Sequence, residues 1–176
     1  MANKVVYLAA GNVAGNNSGW LPMGVWQATS AGVSVVSMSP ASGAGFNQTF
    51  TFTFSDNKGW LDLGVVNVLV NDAINGNHAC YLAYSRPTNT LYLVNDAGNA
   101  LLPGMVLNGQ PMSYGNSQCG VLAASAAPGG STALTLTVNL SFSPAFSGKR
   151  IFYLAARDIN EANNTGWQAL GAWSVQ

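Results

Sequence analysis

Charge is what this sequence has least of. Six basic and six acidic side chains among 176 residues leave no net charge, where an average soluble domain is about one-quarter charged. Without a basic run nothing neutralises a phosphate backbone or an anionic bilayer, so nucleic acid and membrane insertion drop out as expected partners. Near-neutrality also removes the repulsion that keeps copies apart, which permits self-association. Histidine occurs once, at His78, so any Ser-His-Asp arrangement has to pass through it. That residue follows Asn75-Gly76-Asn77 at the start of an expected strand, an ordinary place for an exposed histidine. No Gly-x-Ser-x-Gly, glycine-rich phosphate loop or Cys/His metal spacing occurs. The expectation is a protein that is not an enzyme. Long apolar runs are missing as well: none approaches the roughly 18 residues of a spanning helix. Met1-Ala2-Asn3-Lys4 opens on no hydrophobic stretch of export-signal type.

Cysteine is scarce, with Cys80 and Cys119 each inside a strand-like segment. Two buried thiols and one disulfide are both open readings. The charge-poor, Asn-rich composition favours the disulfide and an extracellular or cell-surface setting.

What the chain does have is strand chemistry. Apolar residues make up 48% of it, enough for a real core, and they come in short bursts rich in Val, Thr, Tyr, Phe and Trp. Phe50, Phe52 and Phe54 alternate with Thr49, Thr51 and Thr53. Leu134, Leu136, Val138, Leu140 and Phe142 alternate as strictly with Thr135, Thr137, Asn139 and Ser141. Both are the period-2 pattern of a strand with one buried face. Residues 40–45 and 95–117 carry turn and breaker chemistry, and Gly64 marks a bulge or a close approach. No helical spacing persists over three turns. About ten short strands with turns every 8 to 12 residues describe an all-β, immunoglobulin-like antiparallel β-sandwich, with a closed barrel as the alternative.

The chain also repeats itself. Val5-Val6-Tyr7-Leu8-Ala9-Ala10 returns as Ile151-Phe152-Tyr153-Leu154-Ala155-Ala156, and Asn16-Asn17-Ser18-Gly19-Trp20 as Asn163-Asn164-Thr165-Gly166-Trp167. Met23-Gly24-Val25-Trp26 returns as Leu170-Gly171-Ala172-Trp173, and the loop of the second copy is one residue longer. The expected organisation is an N-terminal hairpin over 1–30, duplicating the C-terminal one, followed by a complete module over 31–176. The boundary falls in the small-residue joint at 28–32. Two segments built for one kind of slot point to joining between copies. Val5, Tyr7, Leu8, Trp20 and Trp26, with Tyr153, Leu154, Trp167 and Trp173, are the expected assembly interface, working by strand exchange or edge pairing into a filament or surface array.

At Gln48-Thr49-Phe50-Thr51-Phe52-Thr53-Phe54-Ser55-Asp56, Ala79-Cys80-Tyr81-Leu82-Ala83-Tyr84, Asn89-Thr90-Leu91-Tyr92-Leu93-Val94-Asn95-Asp96 and Asn116-Ser117-Gln118-Cys119 the chain resembles the immunoglobulin-like repeat modules of large secreted bacterial proteins. The Tyr-Leu-Ala-Ala-Arg-Asp stretch at 153–158 and the Asn-Asn-Thr-Gly-Trp-Gln stretch at 163–168 belong to the same pattern. The resemblance implies a structural or adhesive module and a Cys80–Cys119 disulfide, and it brings no catalytic residues. The chain departs from it in starting partway through a repeat, with Gly11-Asn12 where the second copy has Arg157-Asp158.

Two ligand readings stand beside assembly. Asp56, Asn57 and Asp62 surround one turn and offer oxygens to a calcium ion, or else form an Asx-turn. Trp60 is the tryptophan expected to meet a polysaccharide in a carbohydrate-binding or adhesin module, since Trp20, Trp26, Trp167 and Trp173 are placed by the repeat.

Overall fold

A computed structural model describes residues 4–26, 32–109 and 114–176, the side chains of 4–7 and 21–26 excepted. The chain forms two compact units, 1–31 and 32–176, and residues 28–31 of the expected joint lie outside the described residues. Unit one is a hairpin of β1 (Lys4–Leu8) and β2 (Leu21–Trp26).

Unit two is a sandwich of two separate sheets, which excludes the closed barrel. One runs in the order β10-β11-β12-β5-β3: β10 (Tyr114–Gly115), β11 (Cys119–Pro128), β12 (Ala133–Phe142), β5 (Asn47–Asp56) and β3 (Val33–Ser39). The other is built from β4 (Ser42–Ala44), β14 (Gln168–Val175), β13 (Gly148–Asp158), β6 (Leu63–Asn71), β7 (Cys80–Ser85), β8 (Thr90–Leu93) and β9 (Met105–Val106), in that order.

The alternating strands do what their pattern dictates. Phe50, Phe52 and Phe54 on β5 are fully buried, as are Leu136, Val138 and Leu140 on β12. The β5–β12 register sets Phe52 opposite Leu136 and Phe50 opposite Val138, so the two rows form one continuous apolar wall. Thr51 and Thr137 face each other on the other side, their hydroxyls 3.5 Å apart. From the second sheet, β13 contributes Phe152, Leu154 and Ala156 to the same core. Strand β6 lies between β13 and β7 and is buried along nearly its whole length. Its run Leu63-Gly64-Val65-Val66 breaks alternation because the register shifts at Gly64, so that Leu63 and Val66 both reach the core.

Three local expectations meet a finding. Gly64 is the extra residue of a bulge: Leu63 pairs with Asp158 and Val65 with Arg157. A Cβ on Gly64 would stand 2.6 Å from the Asp158 carbonyl oxygen, so close approach and bulge are one feature. The stretch 40–45, expected as a turn, contains β4, which pairs parallel to β14 through Ser42–Ala172, Gly43–Trp173 and Ala44–Ser174. The sandwich is thus antiparallel except at this edge. Three small residues show no periodicity, so only the partner strand reveals them as a strand. The strand expected from His78 begins at Cys80, because His78 takes a left-handed turn conformation with φ 48°.

Cys80 on β7 and Cys119 on β11 form a disulfide with Cα atoms 5.5 Å apart, joining the two sheets. With 39 residues of separation, ring closure in the unfolded chain is worth about 4 kcal/mol in the chain-entropy model. Replacing both cysteines by alanine is expected to lower the unfolding free energy by up to that amount. Urea titration of the double variant beside the parent checks it, with midpoint and slope fitted separately because opening the ring also loosens the unfolded chain.

Candidate functional site

The repeated sequence folds twice into the same object. In the first hairpin Lys4 pairs with Trp26, Val5 with Val25 and Val6 with Gly24; after a bulge, Tyr7 pairs with Pro22 and Leu8 with Leu21. In the second, Arg150 pairs with Trp173, Ile151 with Ala172 and Phe152 with Gly171; after a bulge, Tyr153 pairs with Ala169 and Leu154 with Gln168. Every pair corresponds, and the bulge falls at the same step. The connecting loops agree as well. Gly11 bridges Asn17 where Arg157 bridges Asn164. Ser18 N donates to Ala10 O at 2.8 Å and Ala10 N donates to Ser18 Oγ at 2.9 Å. Thr165 N and Ala156 O, and Ala156 N and Thr165 Oγ1, repeat these bonds at 3.0 Å each. Gly19 N on Asn17 Oδ1 is matched by Gly166 N on Asn164 Oδ1.

What differs is the surroundings. The C-terminal hairpin sits in a closely fitted seat. Phe152 packs on Phe50 with ring centroids 4.6 Å apart, and Trp173 meets the edge of Phe50 at 5.1 Å. The Trp173 indole N–H donates to Gly45 O at 2.8 Å. A Cβ on Gly43 would fall 2.3 Å from the Trp173 ring, so the indole lies directly on the β4 backbone. Gly171 is pressed as closely: a Cβ there would stand 2.5 Å from both Ala41 O and Met38 Sδ. The seat therefore requires glycine at one strand position and an indole two residues further on. The first hairpin has Gly24 and Trp26 at those positions. Leu8, which corresponds to the fully buried Leu154, is 58% exposed, and Trp20 is 75% exposed. Leu8 presents to solvent what Leu154 buries.

Of the residues expected at the assembly interface, Leu8 and Trp20 are thus open surface, and the side chains of Val5, Tyr7 and Trp26 lie outside the described set. Leu154 and Trp173 are in the core of their own unit, and Tyr153 is half-buried. Trp167 stands edge-on to Tyr81 at 5.6 Å and lines a shallow groove with Asn67, Arg157 and Asn164. Sequence pattern could not find this groove, because it joins β6, β7 and the β13–β14 loop. The glycines at 43 and 171 were equally hidden, since only the facing strand makes them necessary.

In the turn expected to offer calcium ligands, one Asp56 oxygen is engaged and the other, Oδ2, is buried with no hydrogen-bond partner. Asp56 Oδ1 accepts from Lys58 N at 2.9 Å, the Asx-turn geometry, and Lys58 Nζ stands 3.3 Å from Asp62 Oδ2. That contact is an ion pair. The Lys58 ammonium thus supplies the positive charge in this loop. Among the described residues no three His, Cys, Asp or Glu side chains gather closely enough to hold a metal. Trp60 is half-buried against the sandwich core in a single 3-10 turn, Trp60–Asp62. His78 is exposed, its backbone N–H bonded to Asp96 O. No helix among the described residues is long and apolar enough to cross a membrane.

No protein-family model matches this chain, and comparison with curated proteins gives no match. The reading of the site rests on its own geometry.

Asp158, 1% exposed, fixes the loop of the C-terminal hairpin. Its carboxylate accepts from Asn163 Nδ2 at 2.8 Å and from Ala162 N at 2.9 Å. These bonds, the Asn163 amide first among them, hold its pKa below the usual 3.8. A depressed carboxylate stabilises the fold above its unfolded-state value, and that contribution is lost as pH falls through the lower folded value. Asp158→Asn is therefore expected to lower the melting temperature at pH 7. The gap from the parent should narrow as pH drops below 3.8, and thermal melts across pH 2 to 7 read it.

Proposed function

We propose that this chain is a non-catalytic structural module of an extracellular or cell-surface assembly, joining to further copies of itself head to tail through residues 4–26. One observation carries the reading. The chain has two hairpins with the same register and bulge, whereas unit two has one seat and its own C-terminal hairpin fills it. The N-terminal hairpin carries exposed Leu8 and Trp20 and main-chain hydrogen-bonding groups along both outer edges, the features of a segment made to be covered. A donor on one side of the chain and an acceptor elsewhere make a heterologous contact, which extends into a filament unless its rotation closes a ring.

The rest of the chemistry supports the setting. An intramolecular disulfide persists where the environment is oxidising. A surface with almost no charge tolerates close approach of identical copies. The resemblance to immunoglobulin-like repeat modules of secreted bacterial proteins points the same way.

The full chain is expected to elute from a sizing column at a position that shifts to larger species with concentration. A chain lacking residues 1–30 should stay monomeric by light scattering at every concentration. Equal behaviour of the two would remove the N-terminal hairpin as the joining element.

A second reading is favoured by the groove at Trp167. An indole edge-on to Tyr81, with Asn67, Asn164 and Arg157 beside it, offers a ring and polar groups to a polysaccharide strand. On that reading Trp167→Ala lowers retention in affinity electrophoresis through a panel of polysaccharide gels, while Trp60→Ala leaves it unchanged.

A further inference from the structure

Head-to-tail joining leaves open what the N-terminal hairpin docks on, and two kinds of acceptor exist in a sandwich: an open sheet edge, or the seat that holds the other hairpin. An edge asks only for main-chain hydrogen bonds and is indifferent to side-chain identity along the incoming strand. The seat asks for more. It requires a residue without Cβ where Gly171 passes Ala41 O and Met38 Sδ, and an indole where Trp173 lies on Gly43 and donates to Gly45 O. It requires Leu154 and Ala156 to be small enough and apolar enough to be buried. The N-terminal hairpin has Gly24, Trp26, Leu8 and Ala10 at the corresponding positions, on strands of the same register. An edge-pairing strand needs none of these four choices.

We infer that residues 4–26 of one copy are a closing hairpin for the β13–β14 seat of a second copy. This rests on the self-joining reading and names its acceptor.

A second copy is the fitting occupant because the chain's own seat is at the limit of reach. Gly32 packs against Asn163, at the loop end of the seat, while Trp26 in the seat would lie beside Gly43 at the far end. The six residues from Trp26 to Gly32 extend at most about 22 Å. The strand from Gln168 to Trp173 alone takes up about 17 Å of that, before the loop is counted.

One difference sets the order of preference. Where the C-terminal hairpin buries Phe152 against Phe50 and Phe52, the N-terminal hairpin has Val6, which leaves part of that space unfilled. The resident hairpin therefore fits better, and an incoming one replaces it in a fraction of copies that grows with concentration and when the resident is weakened. The competition is between two segments, so loosening one raises the occupancy of the other.

The experiment uses the full chain with a cysteine trap. Ala155 pairs with Asn67 across β13 and β6, and Ala9 is the counterpart of Ala155. Ala9→Cys with Asn67→Cys can therefore form a disulfide only if the N-terminal hairpin enters the seat, and Ala155→Cys with Asn67→Cys is the positive control. Gly171→Val, whose side chain meets Ala41 O, weakens the resident hairpin. In the triple variant, cross-links between chains should appear on a non-reducing gel, rise with protein concentration, and exceed those of the trap without Gly171→Val at least fivefold. Cross-links confined to single chains, or none while the control cross-links, overturn the assignment. Near-UV circular dichroism guards against simple misfolding. Gly171→Val should keep most of its signal and lose it when Gly24→Val is added. Equal loss in the single and double variants also overturns the assignment. The broader reading is judged separately on the parent chain. Concentration-dependent association without trapping leaves self-joining in place and removes only the seat, whereas a parent that stays monomeric removes self-joining itself.

Discussion

The packing of Phe152 and Trp173 onto Phe50 is the contact on which the rest of unit two depends. Phe50 belongs to one sheet, Phe152 and Trp173 to the other, and together they fix how the sheets are spaced and turned. Phe50 also touches Phe52 and Phe142, so the cluster runs along β5 and across to β12. Because protein interiors are packed about as densely as organic crystals, the two glycines that let Trp173 and the β14 backbone approach β4 are as necessary as the rings themselves. Removing bulk from the rings or adding it to the glycines disturbs the same few cubic ångströms.

The C-terminal hairpin is thus the element that completes the core, and a second copy of such an element is not neutral baggage. A hairpin with one apolar face is marginal in water by itself. The chain carries one hairpin that has found its partner surface and one whose Leu8 and Trp20 remain in solvent. That asymmetry is the physical content of the assembly reading, and it needs neither an active site nor a bound ion.

Legibility in the sequence followed periodicity. The β5 and β12 rows were plain because Phe or Leu alternated with Thr over ten-residue strands with one face wet. The N- and C-terminal hairpins were plain because they could be compared with each other, residue against residue. Strand β6 is less plain because the bulge at Gly64 shifts its phase and Leu69 is buried on the face that Asn67 shares. Strand β4 looks like a turn in sequence because Ser, Gly and Ala signal loops unless a neighbour such as Trp173 lies on them. The groove at Trp167, the seat glycines and the Lys58–Asp62 pairing depend on residues far apart or on backbone approach. No spacing along the chain encodes them. The disulfide lay between these cases, with composition favouring it and the facing positions of β7 and β11 deciding it.

The cross-link has a further consequence once its ring is traced. It encloses residues 80–119, which hold β7, β8, β9 and β10, while β13 and β14 lie wholly outside. The covalent closure therefore raises the cost of unravelling the body and places no tether on the hairpin that completes it. Two opening processes with separate free energies can coexist in one domain, a global one set by the disulfide-bonded body and a partial one set by aromatic packing alone. In amide hydrogen exchange the β13–β14 amides would then report a lower ceiling than those of β7 and β8, which lie inside the ring.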